Sequence, residues 1–159
     1  MFTRNTWADL DTFRGMTELP LILKGIQTAA DAKAAIQHQV LAIILSNHGG
    51  RNLDGSPSAL EVAIELYNED PKLFQQIEVY ADGGVRYGSD AVRLLVLGVW
   101  AVGLERPFMY ANAFGQEGVE KVISIMNTEI AGDAVDLGVA ALKNISADLV
   151  DWEPNHWFP

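Results

Sequence analysis

The 159-residue chain contains no cysteine, which excludes disulfides and thiolate metal sites. Its three histidines, His38, His48 and His156, are too scattered to suggest a zinc site, so no metal is expected. The longest apolar stretch, residues 94–104, is too short to span a bilayer, and residues 1–6 lack the apolar core of a secretory signal. We therefore expect a soluble intracellular protein with no membrane partner, whose compartment (cytoplasm, mitochondrion or peroxisome) the sequence does not distinguish.

Basic residues are also scarce. Eleven Lys and Arg stand against twenty-one Asp and Glu, giving a net charge of −10, which argues against a nucleic-acid partner. The placement of the cations is informative, because Lys24, Arg51, Arg86 and Arg106 each follow the end of a short apolar run. A cationic cluster inside an acidic protein indicates a small anionic ligand.

Four short apolar runs, partly β-branched, predict strands at residues 19–23, 41–45, 77–81 and 99–104. Helical patterns precede, separate and follow these strands, at about residues 7–16, 29–37, 56–67, 89–98 and 118–137. Thr28 caps the second helix, Ser56 and Pro57 open the third, and Ser89 caps the fourth. Strands separated by such helices pair in parallel, and the ligand sites of such sheets lie at the carboxyl ends of the strands. We expect one α/β domain over residues 1–159, a curved four-stranded sheet with residues 19–23 and 99–104 at its edges. This is half of a (βα)₈ barrel, which needs about 250 residues.

The segment from Ser46 to Asp54 makes the strongest chemical statement in the sequence. His48, a possible proton acceptor, lies three residues before Arg51, a possible carboxylate clamp, across two glycines that allow a tight turn. Taken alone, a His-Gly-Gly segment is more often a surface turn, and Arg51 could be a solvated loop residue.

Four motifs in order carry a family resemblance. They are LILKGI at residues 21–26, LSNHGGRNLD at 45–54, ADGGVRYGSD at 81–90 and VGLERPFMYA at 102–111. Together they resemble the FMN-dependent α-hydroxy acid dehydrogenase family, which includes glycolate oxidase, lactate oxidase and the flavocytochrome lactate dehydrogenases. The tail, with GVEK at 118–121 and DLVD at 148–151, is most similar to the last of these. The resemblance runs from about residue 7 to residue 151 and implies the C-terminal half of the family's TIM barrel.

The resemblance implies roles for four residues near the substrate. His48 matches the active-site base, which removes a proton from a small 2-hydroxy acid while two electrons pass to FMN. Arg51 matches the residue that holds the substrate carboxylate with its planar fork. Lys24 matches the lysine beside the pyrimidine edge of the flavin, and Ser46 matches a flavin contact. The plainer alternatives are a lysine extending from a strand end into solvent and a serine in a turn.

The resemblance also implies a site for the FMN phosphate. Glycines there allow close backbone approach to an anion, and the helix that Ser89 would cap presents its N-terminal end. Asp-Gly-Gly alone is more often an ordinary turn. The residues matching this cofactor site are Asp82, Gly83, Gly84, Val85, Arg86, Glu105 and Arg106.

The chain departs from the family pattern at several positions. Glu105 stands where the family usually has glycine before Arg-Pro, which puts a carboxylate beside the expected phosphate and should lower FMN affinity. Asn52 stands where glutamine is usual, and Tyr87 where a second arginine is common. The first half of the barrel, which in the family supplies a substrate-binding tyrosine and an aspartate that orients the histidine, is not identifiable.

Three interpretations follow. The first is an FMN-dependent oxidoreductase of a lactate-like L-2-hydroxy acid, or a fragment of one. The second is a catalytically impaired half-barrel that binds FMN or another phosphate weakly or serves as an interaction module. The third is a different phosphate-binding barrel, such as a sugar-phosphate isomerase, which would not need the histidine motif. The open edges of a half-barrel also predict self-association or pairing with a separate N-terminal half.

Overall fold

The computed structural model describes residues 5–150, so His156 and the last residue of the DLVD motif lie outside the described residues. The strands are β1 (Ile22–Ile26), β2 (Ala42–Leu45), β3 (Glu78–Asp82) and β4 (Ala101–Gly103). The helices are α1 (Asp9–Met16), α2 (Ala29–Gln37), α3 (Ala59–Glu69), α4 (Leu73–Gln76), α5 (Gly88–Val96), α6 (Arg106–Ala111) and α7 (Gly115–Asp136).

The four strands form one sheet in the order β1-β2-β3-β4, and all three pairings are parallel. This confirms the predicted half of a (βα)₈ barrel, with β1 and β4 at the edges. The carboxyl ends of the strands therefore lie along one rim of the sheet, where the motif residues follow them.

One face of the sheet forms the core with the helices. Along β3, Val79 and Ala81 are buried on the helix side, and Ile43 and Leu45 of β2 are fully buried beside them. The small residues of α2, Ala29, Ala32 and Ala35, have no exposed surface, which lets this helix pack closely.

The other face carries the side chains that alternate with those of the core. We call it the concave face. On the described strands its members are Ile22, Lys24, Ala42, Ile44, Glu78, Tyr80, Asp82, Ala101 and Gly103. It therefore mixes apolar with charged groups, whereas the helix side is apolar.

The observed element bounds differ from the predicted ones at several places. The first strand begins at Ile22 rather than residue 19, because Pro20 has no N–H for a ladder and Leu19 is 74% exposed. Helix α3 starts after Ser58, which forms a capping box with Glu61, so the Ser56-Pro57 signal lies in the preceding turn.

Four helix starts were also misplaced or missed. Helix α5 begins at Gly88, one residue before the predicted cap at Ser89, since the Asp90 carboxylate accepts hydrogen bonds from the amides of Arg86 and Tyr87. Helix α7 begins three residues early, at Gly115, and the short helices α4 and α6 were not predicted. Among the described residues, no helix is both long and apolar enough to cross a membrane.

Candidate functional site

The ends of three neighbouring strands meet in one polar cluster, formed by Lys24, Ser46 and Asp82. The Lys24 Nζ lies 2.6 Å from an Asp82 carboxylate oxygen and 2.8 Å from the Ser46 hydroxyl oxygen. The Ser46 hydroxyl in turn donates to the other carboxylate oxygen of Asp82. Ser46 and Asp82 are buried, while the Lys24 side chain is 43% exposed. The ammonium group is therefore held by two buried partners and remains accessible to solvent.

The same serine fixes the start of the histidine loop. Its hydroxyl oxygen accepts a hydrogen bond of 3.1 Å from the His48 amide, and the Asn47 side chain accepts one of 3.1 Å from the Gly50 amide. His48 has φ +57°, a backbone conformation that side-chain-bearing residues rarely adopt. These two hydrogen bonds hold the loop in that conformation and set the direction in which the imidazole projects.

His48 and Arg51 are both exposed and lie on one tight turn. The Arg51 Nε is 3.4 Å from the His48 carbonyl oxygen, so the guanidinium folds back toward the histidine. Within residues 5–150 the imidazole has no hydrogen-bond partner. The structure thus brings the predicted base and the predicted clamp together.

A cavity of about 280 Å³ lies beside this loop, between the loops that follow β3 and β4. Its lining includes six residues predicted for the phosphate site, Gly83, Gly84, Val85, Arg86, Glu105 and Arg106. Gly103, Pro107 and Tyr110, which were not predicted, also line it. Tyr110, one helical turn after Arg106, is a lining residue that the sequence analysis missed, although the i,i+4 spacing could have indicated it.

The cavity has features that suit a phosphate group. Gly83 has φ +86°, and a Cβ there would lie 3.0 Å from the Asn47 side-chain oxygen, so only glycine allows this close approach of the two loops. The Arg106 guanidinium donates a 3.3 Å hydrogen bond to the Gly49 carbonyl, which places its charge between the cavity and the histidine loop. With Arg86 on the opposite side, two cations border a glycine-lined recess.

Two features of this recess were not part of the sequence-based expectation. The amides around the start of α5 are already bound by protein carboxylates: Asp90 accepts from the Arg86 and Tyr87 amides just before the helix, and Glu129 accepts from the Gly88 amide, the first of the helix, at 2.6 Å. The helix end therefore offers fewer free donors to an anion than expected. Asp82 does not line the cavity but pairs with Lys24, so its position is that of an anchor for the lysine.

Glu105 lies in the cavity wall, as the sequence predicted. It is exposed, and its φ of −109° is open to any residue, so the backbone at this position does not demand glycine. The carboxylate therefore acts on an anionic ligand mainly through its charge.

Known proteins are similar to this chain over most of its length. A family model described as FMN-dependent dehydrogenase matches residues 1–152. The L-lactate dehydrogenase (cytochrome) of Saccharomyces cerevisiae is 42% identical over 149 residues, which cover 92% of this chain and 25% of that protein. The 2-hydroxyacid oxidase 2 of Bos taurus is 39% identical over 147 residues, covering 92% of this chain and 41% of that protein.

The crystal structure of the flavin-binding domain of baker's yeast flavocytochrome b2 superposes with a TM-score of 0.86 at 40% identity, covering 96% of this chain and 42% of the other. The chain thus spans only 25% to 41% of the length of these curated relatives. The interpretation as a sugar-phosphate isomerase loses its basis, because the match covers nearly the whole chain and includes the histidine motif. The chain belongs to the FMN-dependent dehydrogenase family.

Proposed function

We propose that this chain forms the C-terminal half of the catalytic barrel of an FMN-dependent enzyme that oxidises a small, lactate-like L-2-hydroxy acid to the 2-oxo acid. The observation that carries the proposal is the convergence, along one rim, of Lys24, the His48–Arg51 turn and the glycine-lined cavity. Four separate chain segments contribute to it, which a single surface turn would not produce.

The substrate is bound and deprotonated by the histidine loop. The Arg51 guanidinium offers two parallel N–H donors to the carboxylate of the acid, a geometry that a lysine cannot match. A neutral imidazole nitrogen of His48 then accepts a proton from the 2-hydroxy acid, the role of a general base. Bound FMN would supply the acceptor for the two electrons and the second hydrogen that leave the substrate.

The cofactor would be held at two places. Lys24, anchored by Asp82 and Ser46, projects its ammonium from the rim, where it would neutralise charge on the flavin ring. The recess bordered by Arg86 and Arg106 would take the phosphate. The residues present therefore fit FMN, whereas the Glu105 carboxylate in the described cavity lining opposes it.

The test uses the complete barrel that contains this segment. We expect His48→Gln to lower kcat by at least ~10²-fold, the scale of losing a general base, while FMN stays bound. Arg51→Lys should mainly raise KM, since a point charge replaces a fork. Asn52→Gln, on the same turn but outside the proposed roles, is the matched control. Unchanged turnover in His48→Gln would refute the assignment.

A second candidate function is favoured by Glu105, whose carboxylate lines the cavity. In this alternative the chain is a catalytically impaired half-barrel that binds FMN or another phosphate weakly or acts as an interaction module. Visible flavin absorbance of the purified protein distinguishes the two, because a functional cofactor site retains FMN through purification and an impaired one does not.

A further inference from the structure

The turn from His48 to Arg51 is connected to another part of the chain by a single side chain. Hydrogen bonds within its own segment fix both ends of the turn. The carbonyl oxygen of Gly49, in the middle, instead accepts the 3.3 Å hydrogen bond from the Arg106 guanidinium at the start of α6. Among residues 5–150, no other hydrogen bond reaches the turn from outside residues 46–51. The middle of the turn therefore depends on Arg106 for its position.

The backbone of this turn needs such support. His48, Gly49 and Gly50 have φ values of +57°, +67° and +73°, so three successive residues lie in the left-handed region. This conformation is unfavourable for a residue with a Cβ, such as His48, and glycine has many alternatives to it. A segment of this kind keeps one conformation only where surrounding contacts hold it. Loss of the Arg106 hydrogen bond should therefore change the direction of the His48 imidazole and the position of Arg51.

The same guanidinium also lines the recess proposed for the phosphate. Arg106 follows β4, whereas the turn follows β2, and β3 lies between these two strands in the sheet. A guanidinium carries five N–H donors in a planar fork, so Arg106 can donate to the Gly49 carbonyl and to an anion in the recess at the same time. One side chain thus joins the two places where the substrate and the phosphate would bind.

Gly49 is also the point where two cations approach each other. A Cβ at Gly49 would lie 3.1 Å from an Arg106 guanidinium nitrogen and 3.9 Å from the Arg51 Nε. Neither guanidinium has a carboxylate within ion-pair distance in the part of the chain that the structure describes. The two like charges therefore repel each other across the turn, and an anion bound to Arg106 would reduce this repulsion.

We propose that Arg106 is a positioning residue for the His48–Arg51 turn, and that an anion in the recess orders this turn through Arg106. The anion orients the guanidinium toward the Gly49 carbonyl and compensates its charge beside Arg51. The position of the substrate-binding turn then depends on whether the recess is occupied. This inference rests on the proposed function, because it connects the roles proposed there for the turn and the recess.

The first test uses the chain labelled with ¹⁵N-glycine and inorganic phosphate as the probe. We expect the amide signals of Gly49 and Gly50 to shift with the same Kd as those of Gly83 and Gly84 in the recess. In Arg106→Lys the recess signals should still shift at higher phosphate concentration, whereas the shifts in the turn at saturation should be at least ~5-fold smaller. Lysine keeps the charge, but its donors all lie on one nitrogen and do not span the carbonyl and the anion.

Arg86→Lys is the matched control, because Arg86 lines the recess and its side chain makes no described hydrogen bond to the turn. It should weaken phosphate binding and leave the shifts in the turn at full size once the recess is saturated. Gly132, at an open position of α7, provides the reference signal. Turn signals that stay unmoved in the wild type, or that move equally in Arg106→Lys, would overturn the proposal. Absence of a shift at Gly83 and Gly84 would remove the recess as an anion site, and the linkage with it.

The second test measures pyruvate binding to the complete barrel at saturating FMN, through the change in flavin absorbance. We expect Arg106→Lys to raise the Kd of pyruvate at least ~5-fold, because a misplaced turn holds the carboxylate poorly, whereas Arg86→Lys should not raise it. Equal pyruvate affinity of Arg106→Lys and the wild type would refute the positioning role. Neither test measures turnover. If only the linkage fails, His48→Gln still lowers kcat; if only the proposed catalysis fails, the phosphate-dependent shifts in the turn remain.

Discussion

Replacing Glu105 by glycine should strengthen FMN binding. Glu105, Arg86 and Arg106 line the same cavity, so a phosphate held there experiences two attractive charges and one repulsive charge. At a separation of about 4 Å, two unit charges repel by about 1 kcal/mol in water and about 4 kcal/mol near a protein surface. Because Glu105 is exposed, the lower end applies, and screening reduces the repulsion further.

The expected gain is therefore at most about 1 kcal/mol, or up to roughly fivefold in Kd. Titration calorimetry with FMN at two salt concentrations measures it, on the wild type and on Glu105→Gly. Glu105→Gln separates charge from size, and it should give most of the gain because the backbone at φ −109° tolerates a side chain. The gain should shrink at high salt, where the screening length falls to about 3 Å at 1 M.

The matched control is Glu18→Gln. Glu18 is exposed and lies in the segment before β1, at the opposite end of the strands from the cavity. It changes the net charge by the same amount and should leave FMN affinity unchanged. Equal affinity of Glu105→Gly and the wild type would show that the carboxylate does not act on the phosphate. The interpretation of this half-barrel as impaired in flavin binding would then be wrong.

Two further predictions concern the stability of the fold. Ser58→Ala removes the cap of α3 and should cost about 1 kcal/mol in chemical denaturation. Hydrogen bonds from the Ser58 amide and, second, from the Ser58 hydroxyl lower the pKa of Glu61, and the variant removes only the hydroxyl. The hydroxyl's contribution is present above the ordinary carboxyl pKa and lost as the pH falls through the lowered value. The variant should therefore show a slightly smaller acid-induced loss of stability, and a loss larger than that of the wild type would contradict this. Gly88→Ala should cost about 1–3 kcal/mol, because a Cβ there would lie 2.4 Å from the Glu129 Cβ and 2.6 Å from the Ile130 amide nitrogen. Gly132→Ala, at an open position of α7, should instead stabilise by up to about 1 kcal/mol, and a similar loss in both variants would refute the packing argument.

Local sequence was sufficient to predict the alternation of strands and helices. The buried strands are short apolar runs, and the Thr28 and Gly138 signals mark where α2 begins and where the chain leaves α7. The errors arose where competing local signals were close together. Ser56, Pro57 and Ser58 are all plausible helix starters, and only the reciprocal hydrogen bonds of Ser58 and Glu61 select one.

For the candidate site, the sequence likewise predicted which residues contribute but not which of them contact each other. The residues expected near the substrate and phosphate could be named because each follows the end of a strand, and parallel strands bring those ends to one rim. Pairing across strands could not be predicted. The anchoring of Lys24 by Asp82 and the hydrogen bond from the Gly88 amide to Glu129 at the start of α5 join residues far apart in the chain.

The sequence by itself therefore determined the family, the half-barrel topology and the identities of the charged groups, because motif order and hydrophobic period are local properties. Only the tertiary structure decided how those charges are paired. It turns Asp82 toward Lys24 and away from the cavity, leaves Glu105 in the cavity wall, and places Glu78 on the concave face with Tyr80 as its one hydrogen-bond donor among the described residues. The physical reason is that the interaction of two charges depends on their separation and burial, and the fold sets both.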